Sequence, residues 1–114
     1  MREYHNHRAE PYFTFLRNGQ KTIEGRIKKG KYSFIEPGDE IVVSSIDETE
    51  NVRVAVLRVA TYSSIREMLE VEDLKKVLPD AESVERGVQI YEKFYTTQQQ
   101  KEFGVVSIEV ELIA

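Results

Sequence analysis

A chain of 114 residues with 40% hydrophobic and 10% aromatic content is the size at which one hydrophobic core suffices, so a single domain over 1–114 is expected without metal or disulfide support. The complete lack of cysteine excludes thiol nucleophiles, disulfides, iron-sulfur clusters and cysteine-bound zinc. The net charge of −4 argues against coating nucleic acid through phosphate neutralisation alone, but residues 1–34 carry a balance of +5 and residues 35–114 one of −9, so a local anion site remains open on an otherwise acidic protein.

The opening Met1-Arg2-Glu3-Tyr4-His5-Asn6-His7-Arg8 has no apolar run of the signal-peptide kind, and no later stretch approaches the ~20 apolar residues of a membrane span; a soluble, cytoplasmic chain is expected. His5 and His7 lie two apart near the terminus, without the helical spacing or partner ligands of a metal site. They read as part of a frayed tail, and neither a metal nor another cofactor is implied.

Pro11 to Gly19 predicts a short helix, opened by proline in its first turn and stopped at Asn18-Gly19, with Phe13, Leu16 and Tyr12 facing inward. Lys21 to Ile27 alternates as a strand: Lys21, Ile23, Gly25 and Ile27 share one face and Thr22, Glu24 and Arg26 the other. Gly25 inside it marks either a bulge or a close backbone approach. Lys28, Lys29 and Lys31 form a basic loop, suited either to plain solvation or to steering a phosphate backbone.

Glu40–Ser45 and Val52–Tyr62, rich in β-branched residues, read as strands joined by a hairpin loop at Asp47–Asn51. Ser64 with Glu67 three residues later reads as a capping box opening a helix over 65–69, and a second helical stretch over 71–78 ends before Pro79. Residues 83–94 are helix-periodic, with Val84, Val88, Tyr91 and Tyr95 in one stripe. Gly104 to Leu112 closes the chain as a strand whose Val106, Ile108, Val110 and Leu112 point together. This order predicts a mixed domain with an antiparallel or mixed sheet, closed or nearly closed so that its short strands keep few free edges.

The run Gly19-Gln20-Lys21-Thr22-Ile23-Glu24-Gly25-Arg26 resembles the signature of the ASCH domain family, and Pro37-Gly38-Asp39-Glu40-Ile41 resembles its Gly-Asp turn into the next strand. The C-terminal Tyr95-Thr96-Thr97-Gln98-Gln99-Gln100-Lys101-Glu102-Phe103-Gly104-Val105 is similar to the family's tyrosine, polar helix and aromatic-Gly-Val approach to its last strand, and Glu10-Pro11-Tyr12-Phe13 is similar as well. The resemblance spans about residues 8 to 112 in family order. It implies an α+β fold, a PUA-like β-barrel of about five to six mostly antiparallel strands with flanking helices. It also implies a cleft that binds RNA or a nucleotide, possessing Lys21, Glu24 and Arg26 in the small stand-alone members' manner.

Read without the family, Glu24 and Arg26 are a same-face ion pair worth under ~1 kcal/mol at a surface. With it, Arg26 becomes a bidentate grip on phosphate or a base edge, and Glu24 an acceptor for an exocyclic amine or a brace for Arg26. On a regular strand Lys21 and Arg26 face opposite ways, so they share a cleft only if Gly25 bulges or the strand forms the cleft rim. Tyr95 and Phe103 are either core or base-stacking surfaces. Thr96 and Gln99 are either cleft contacts or the N-cap and capping-box partner of the following helix.

Two enzymatic alternatives come with the family: an amidohydrolase acting on an acylated nucleoside such as 4-acetylcytidine, and a ribonuclease. The amidohydrolase members carry a threonine three positions after the lysine, where this chain has Glu24, and Thr22 beside it points away. A catalytic pair here would be Lys21 and Glu24, with Glu85 or Glu102 as second carboxylate. RNA or a modified nucleoside is therefore the expected partner; the acidic remainder of the chain also offers surface to a basic protein.

Overall fold

The structure, a computed structural model, describes residues 1–113. In chain order it contains β1 (Glu3–Arg8), α1 (Tyr12–Arg17), β2 (Ile23–Ile27), a 3-10 turn (Gly30–Ser33), β3 (Glu40–Ser45), β4 (Asn51–Tyr62), α2 (Ile65–Val71), α3 (Leu74–Val77), α4 (Val84–Tyr91), α5 (Thr97–Phe103) and β5 (Val105–Ile113). The five strands form one sheet in the order β1-β3-β4-β5-β2. β1 runs parallel to β3, and the other three pairings are antiparallel.

The sheet curls into a half-barrel whose two edge strands approach each other, so that Arg8 at the end of β1 forms an ion pair with Glu24 of β2. The 3-10 turn bridges the same gap: Asn6 donates to the Tyr32 hydroxyl at 3.2 Å and the Lys31 ammonium to the His5 carbonyl. Covering an edge in this way removes the unpaired ladder on which another strand would grow.

Side-chain alternation across the sheet makes two cores. Inside the curl, Ile41 and Val43 of β3, Val54 and Val56 of β4 and Val106, Ile108 and Val110 of β5 pack against Phe13 and Leu16 of α1. On the outer face, Ile23, Ile27 and Val105 pack under Met68, Leu69, Val77, Val88 and Tyr91 from α2, α3 and α4. Leu112 departs from the expected stripe: β5 runs past the core after Val110, leaving Leu112 exposed. A register shift between Val56 and Arg58 places Leu57 outside and turns Arg58 to the helical side.

Residues 3–8 are not a frayed tail. Their alternation of exposed and half-buried positions fits an edge strand, and the pairing is supplied by β3, with register Glu3↔Glu40 through Arg8↔Ser45. Arg2 N donates to Asp39 at 3.0 Å and Glu40 N to the Arg2 carbonyl at 2.9 Å, which fixes the start of that register.

The helical layer also differs in detail. Val71 belongs to α2, and α3 is a single turn, because Glu72 leaves the helix with extended backbone and gives its carboxylate away. Arg58 donates to both its oxygens at 2.6 and 3.0 Å, and Tyr62 and Ser107 add hydroxyl donors at 2.7 and 2.8 Å. These bonds, the Arg58 pair foremost, hold the Glu72 carboxyl down at about 2. Tyr95 lies beyond α4, where its amide donates back to the Tyr91 carbonyl at 3.0 Å in a terminal turn. No helix among the described residues is long and apolar enough to cross a membrane.

Candidate nucleotide-binding site

A hollow of about 340 Å³ opens where the two edges of the sheet meet. Its polar wall comes from Arg8, Lys21, Glu24 and Arg26; α4 and the turn after it supply Tyr91, Phe94 and Tyr95, and α1 supplies Tyr12. Glu24 is only 4% exposed and lies at the centre of three cations. Arg8 touches its Oε2, Arg26 Nη2 stands 3.9 Å from the same oxygen, and Lys21 Nζ stands 4.0 Å from Oε1. Three cations around one carboxylate leave a surplus of two positive charges in a partly desolvated space.

Lys21 joins this cluster by a route other than a bulge. It lies before β2, where its amide donates to the Phe15 carbonyl at 3.0 Å and that of Thr22 to the Lys76 carbonyl at 3.0 Å. Its position is therefore not set by the pleat, and the side chain turns inward to donate from Nζ to the carbonyls of Ile23, at 2.8 Å, and Val77. The β2–β5 register runs unbroken through Gly25↔Ser107. Gly25 instead serves close approach: a Cβ there would lie 2.7 Å from Met68 Cε and 2.8 Å from the Tyr91 hydroxyl, so glycine lets the helical layer close over the floor of the hollow.

Burial pushes the Lys21 ammonium down to about 8, with Arg8 and Arg26 adding to the fall and Glu24 opposing it. For Glu24 burial alone would raise the carboxyl, but the charges of Arg8, Lys21 and Arg26 together outweigh it and hold the group below its ordinary value. Burial also works against the Arg26 charge, but Glu24, Tyr32 and Tyr95 outweigh it and keep the guanidinium firmly protonated. Burial, followed by the nearby Glu24 charge, pushes the Tyr91 hydroxyl up, so it stays neutral.

Not every polar atom in the wall is satisfied. Arg26 Nε and Nη2, Arg8 Nε and Glu24 Oε1 are buried without a hydrogen-bond partner. Such groups cost free energy in a folded protein unless something completes them, and because Arg8 and Arg26 line the hollow, a small turn of either guanidinium would present its donors to an anion or a base edge. The apolar wall has the complementary character: Tyr91 and Tyr95 stack at 6.4 Å with an interplanar angle of 17°, and Phe94 stands at the rim, 69% exposed.

A second hollow of about 410 Å³ adjoins the first and shares Tyr95 with it. Ile27, Lys29, Gly30, Lys31, Tyr32 and Gln99 complete its lining. Between the two, the Arg26 guanidinium lies 5.0 Å from the centre of the Tyr32 ring, a cation-π contact that holds Arg26 across the dividing wall.

The family model described as ASCH domain matches residues 8–114. The chain belongs to the ASCH domain family. The ASCH chain is similar to the crystal structure of hypothetical protein PH0355, at 39% identity and a TM-score of 0.89 over 97% of this chain and 99% of that one. It is similar also to the solution structure of protein PF0455 from Pyrococcus furiosus, at 38% identity and a TM-score of 0.77 over 97% of each chain. An ASCH domain from Lactobacillus crispatus, 12% identical with a TM-score of 0.57 over 96% of this chain and 79% of that one, shares the fold, the α+β PUA-like half-barrel with flanking helices. No curated protein is significantly similar to the chain.

Of the residues singled out in this ASCH sequence, Lys21, Glu24, Arg26 and Tyr95 line the first hollow together. Thr96 and Gln99 form the capping box of α5: Gln99 N donates to the Thr96 hydroxyl at 3.1 Å, and Thr96 N to Gln99 Oε1 at 2.9 Å. Gln99 also borders the second hollow. Phe103 packs against the outer core with the Lys29 ammonium 4.8 Å above its ring, and Glu85 pairs with Arg66 at 2.7 Å. Neither Glu85 nor Glu102 lines the first hollow. Among the described residues no group of three or more His, Asp and Glu is gathered as a metal site.

Arg8, Tyr12, Tyr91 and Phe94 are lining residues that sequence reasoning did not assign to the site. Phe94 carried one usable signal, an aromatic next to Tyr95 and off the helical stripe of Val84, Val88 and Tyr91. Arg8 carried none, since its contact with Glu24 depends on the sheet curling shut.

Proposed function

We propose that the first hollow of this ASCH domain binds RNA or a nucleotide, holding a base or its phosphate against Arg26 with Tyr95 and Phe94 as stacking surfaces. The observation that carries this reading is the pair of buried, unpartnered Arg26 donors in a wall with a surplus of positive charge, opposite exposed and half-buried aromatic faces. Membership of the family, with its PUA-like fold, supports RNA in particular. Lys21 acts from behind: its two carbonyl bonds tie β2 to α3, and its charge steadies Glu24, which in turn braces Arg8 and Arg26.

The test is titration of short single-stranded RNA and of nucleoside 5′-monophosphates into wild-type protein and Arg26→Ala at two salt concentrations. The expected result is salt-sensitive binding that weakens at least ~10-fold in the variant, the scale of one charge-assisted bidentate contact. Absence of binding by the wild type, or equal affinity in the variant, refutes the reading.

One observation favours a hydrolytic second reading. The Lys21 amine, pushed down to about 8 beside Glu24, offers a base in the wall of the hollow. Acting on 4-acetylcytidine, that pair would take a proton from a water that attacks the acetyl carbon; the carbon–nitrogen bond then breaks, the exocyclic amine leaves with that proton, and acetate is released. The position that holds the family's threonine is Glu24 here, and Nζ already donates to two carbonyls, so the binding reading is preferred. Mass spectrometry of acylated nucleosides after incubation decides: turnover that rises as pH passes about 8 supports Lys21 as the base.

A further inference from the structure

We infer that the ligand is a single-stranded chain of at least two nucleotide units, threaded from the first hollow to the second across Tyr95 and Arg26, rather than a free nucleoside. This rests on the nucleotide-binding reading of the first hollow and extends it. The two hollows, about 340 and 410 Å³, are each large enough for one base with its sugar, and they share Tyr95 as a common wall.

The dividing wall has the chemistry of a phosphodiester contact. Arg26, held by Tyr32 on the side of the second hollow and by Glu24 on the side of the first, keeps Nε and Nη2 unpartnered. A phosphate passing over the wall would complete both donors once the guanidinium turns toward it, which a neutral nucleoside in the first hollow alone does not require. Beyond the wall the second hollow is lined by Lys29 and Lys31 and by no carboxylate. Charge thus continues along one path from Arg8 through Arg26 to these lysines, and Tyr95 presents ring surface to both compartments. The alternation of ring surface and cation is the pattern by which single strands are held, their bases stacked and their backbone tracked electrostatically.

The experiment compares a nucleoside 5′-monophosphate with a trinucleotide of the same base at about 50 to 200 mM salt. It uses wild-type protein and the double variant Lys29→Gln/Lys31→Gln, which keeps a donor for the His5 carbonyl at position 31. Thermal melts verify that both fold. The trinucleotide is expected to bind wild type at least ~10-fold tighter than the monophosphate, the scale of a further phosphate and base engaged. In the double variant that advantage falls away, monophosphate affinity is unchanged, and the slope of log affinity against log salt drops by about 0.7 for each phosphate the lysines no longer neutralise. Equal affinity of wild type for the two probes, with monophosphate binding intact, overturns the two-compartment inference and leaves the nucleotide reading standing. Loss of monophosphate affinity in the double variant also overturns it, since the lysines would then serve the first hollow. No binding of either probe overturns the nucleotide reading itself.

Discussion

Glu24→Gln keeps the shape of the side chain and removes the negative charge that Arg8, Lys21 and Arg26 share. Each contact near 4 Å is worth about 4 kcal/mol of gross attraction at an effective dielectric of about 20, offset in part by repulsion among the cations. Removing one partner of a buried ion pair costs about 3–5 kcal/mol. Arg8 and Arg26 retain 13% and 16% side-chain exposure, so water relieves some of the strain, and the expected loss is about 3 kcal/mol at pH 7. Because the Glu24 carboxyl is held below its ordinary 4.5, its contribution is fully present above that value and is lost as pH falls through the lower folded one. Urea unfolding followed by circular dichroism should therefore show a deficit that is constant from about pH 4.5 to pH 7 and shrinks in more acid solution. Sulfate should restore more stability to the variant than to wild type, since it binds the folded cluster and not the unfolded chain. A variant within ~0.5 kcal/mol of wild type at pH 7 would refute the view that Glu24 compensates buried positive charge.

Gly25→Ala should cost about 1–3 kcal/mol in a thermal or urea melt, because its Cβ would fall 2.7 to 2.9 Å from Met68 and the Tyr91 hydroxyl, both in the buried outer core. Glu72→Gln should lower stability at pH 7 by about 2 kcal/mol, a figure discounted for the 43% exposure of its partner Arg58. With its carboxyl at about 2 in the folded protein and 4.5 as its ordinary value, that deficit is full above about pH 4.5 and fades toward pH 2, which urea titrations at stepped pH would follow.

The secure parts of the fold were legible where one local rule sufficed. β-Branched runs gave β3, β4 and β5, the Ser64 cap gave the start of α2 and helical periodicity gave α4, although the Glu67 carboxylate reaches back to Ser63 rather than to the cap itself. β1 was not legible, because His5-Asn6-His7 has no strand composition and its order comes from the edge that β3 offers. In the site, alternation placed Glu24 and Arg26 on one face, but it misassigned Lys21 by extending the strand two residues too far toward the N-terminus. The break between the two helical stretches is expected at residue 70 but lies at Glu72, since a glutamate favours helix locally and leaves it here for partners on β4 and β5.

The ion pair of Arg8 with Glu24 joins the first and last strands in the sheet order, so the hollow beside it lies on the line along which the half-barrel would open. An anion gripped by Arg8 and Arg26 together would act as a clasp across that line. Its effect would then reach the whole length of β1, slowing amide exchange at residues such as Tyr4 and Asn6 that pair with β3 far from the anion itself. The site would report on closure of the barrel, and closure would respond in turn to whatever fills the site.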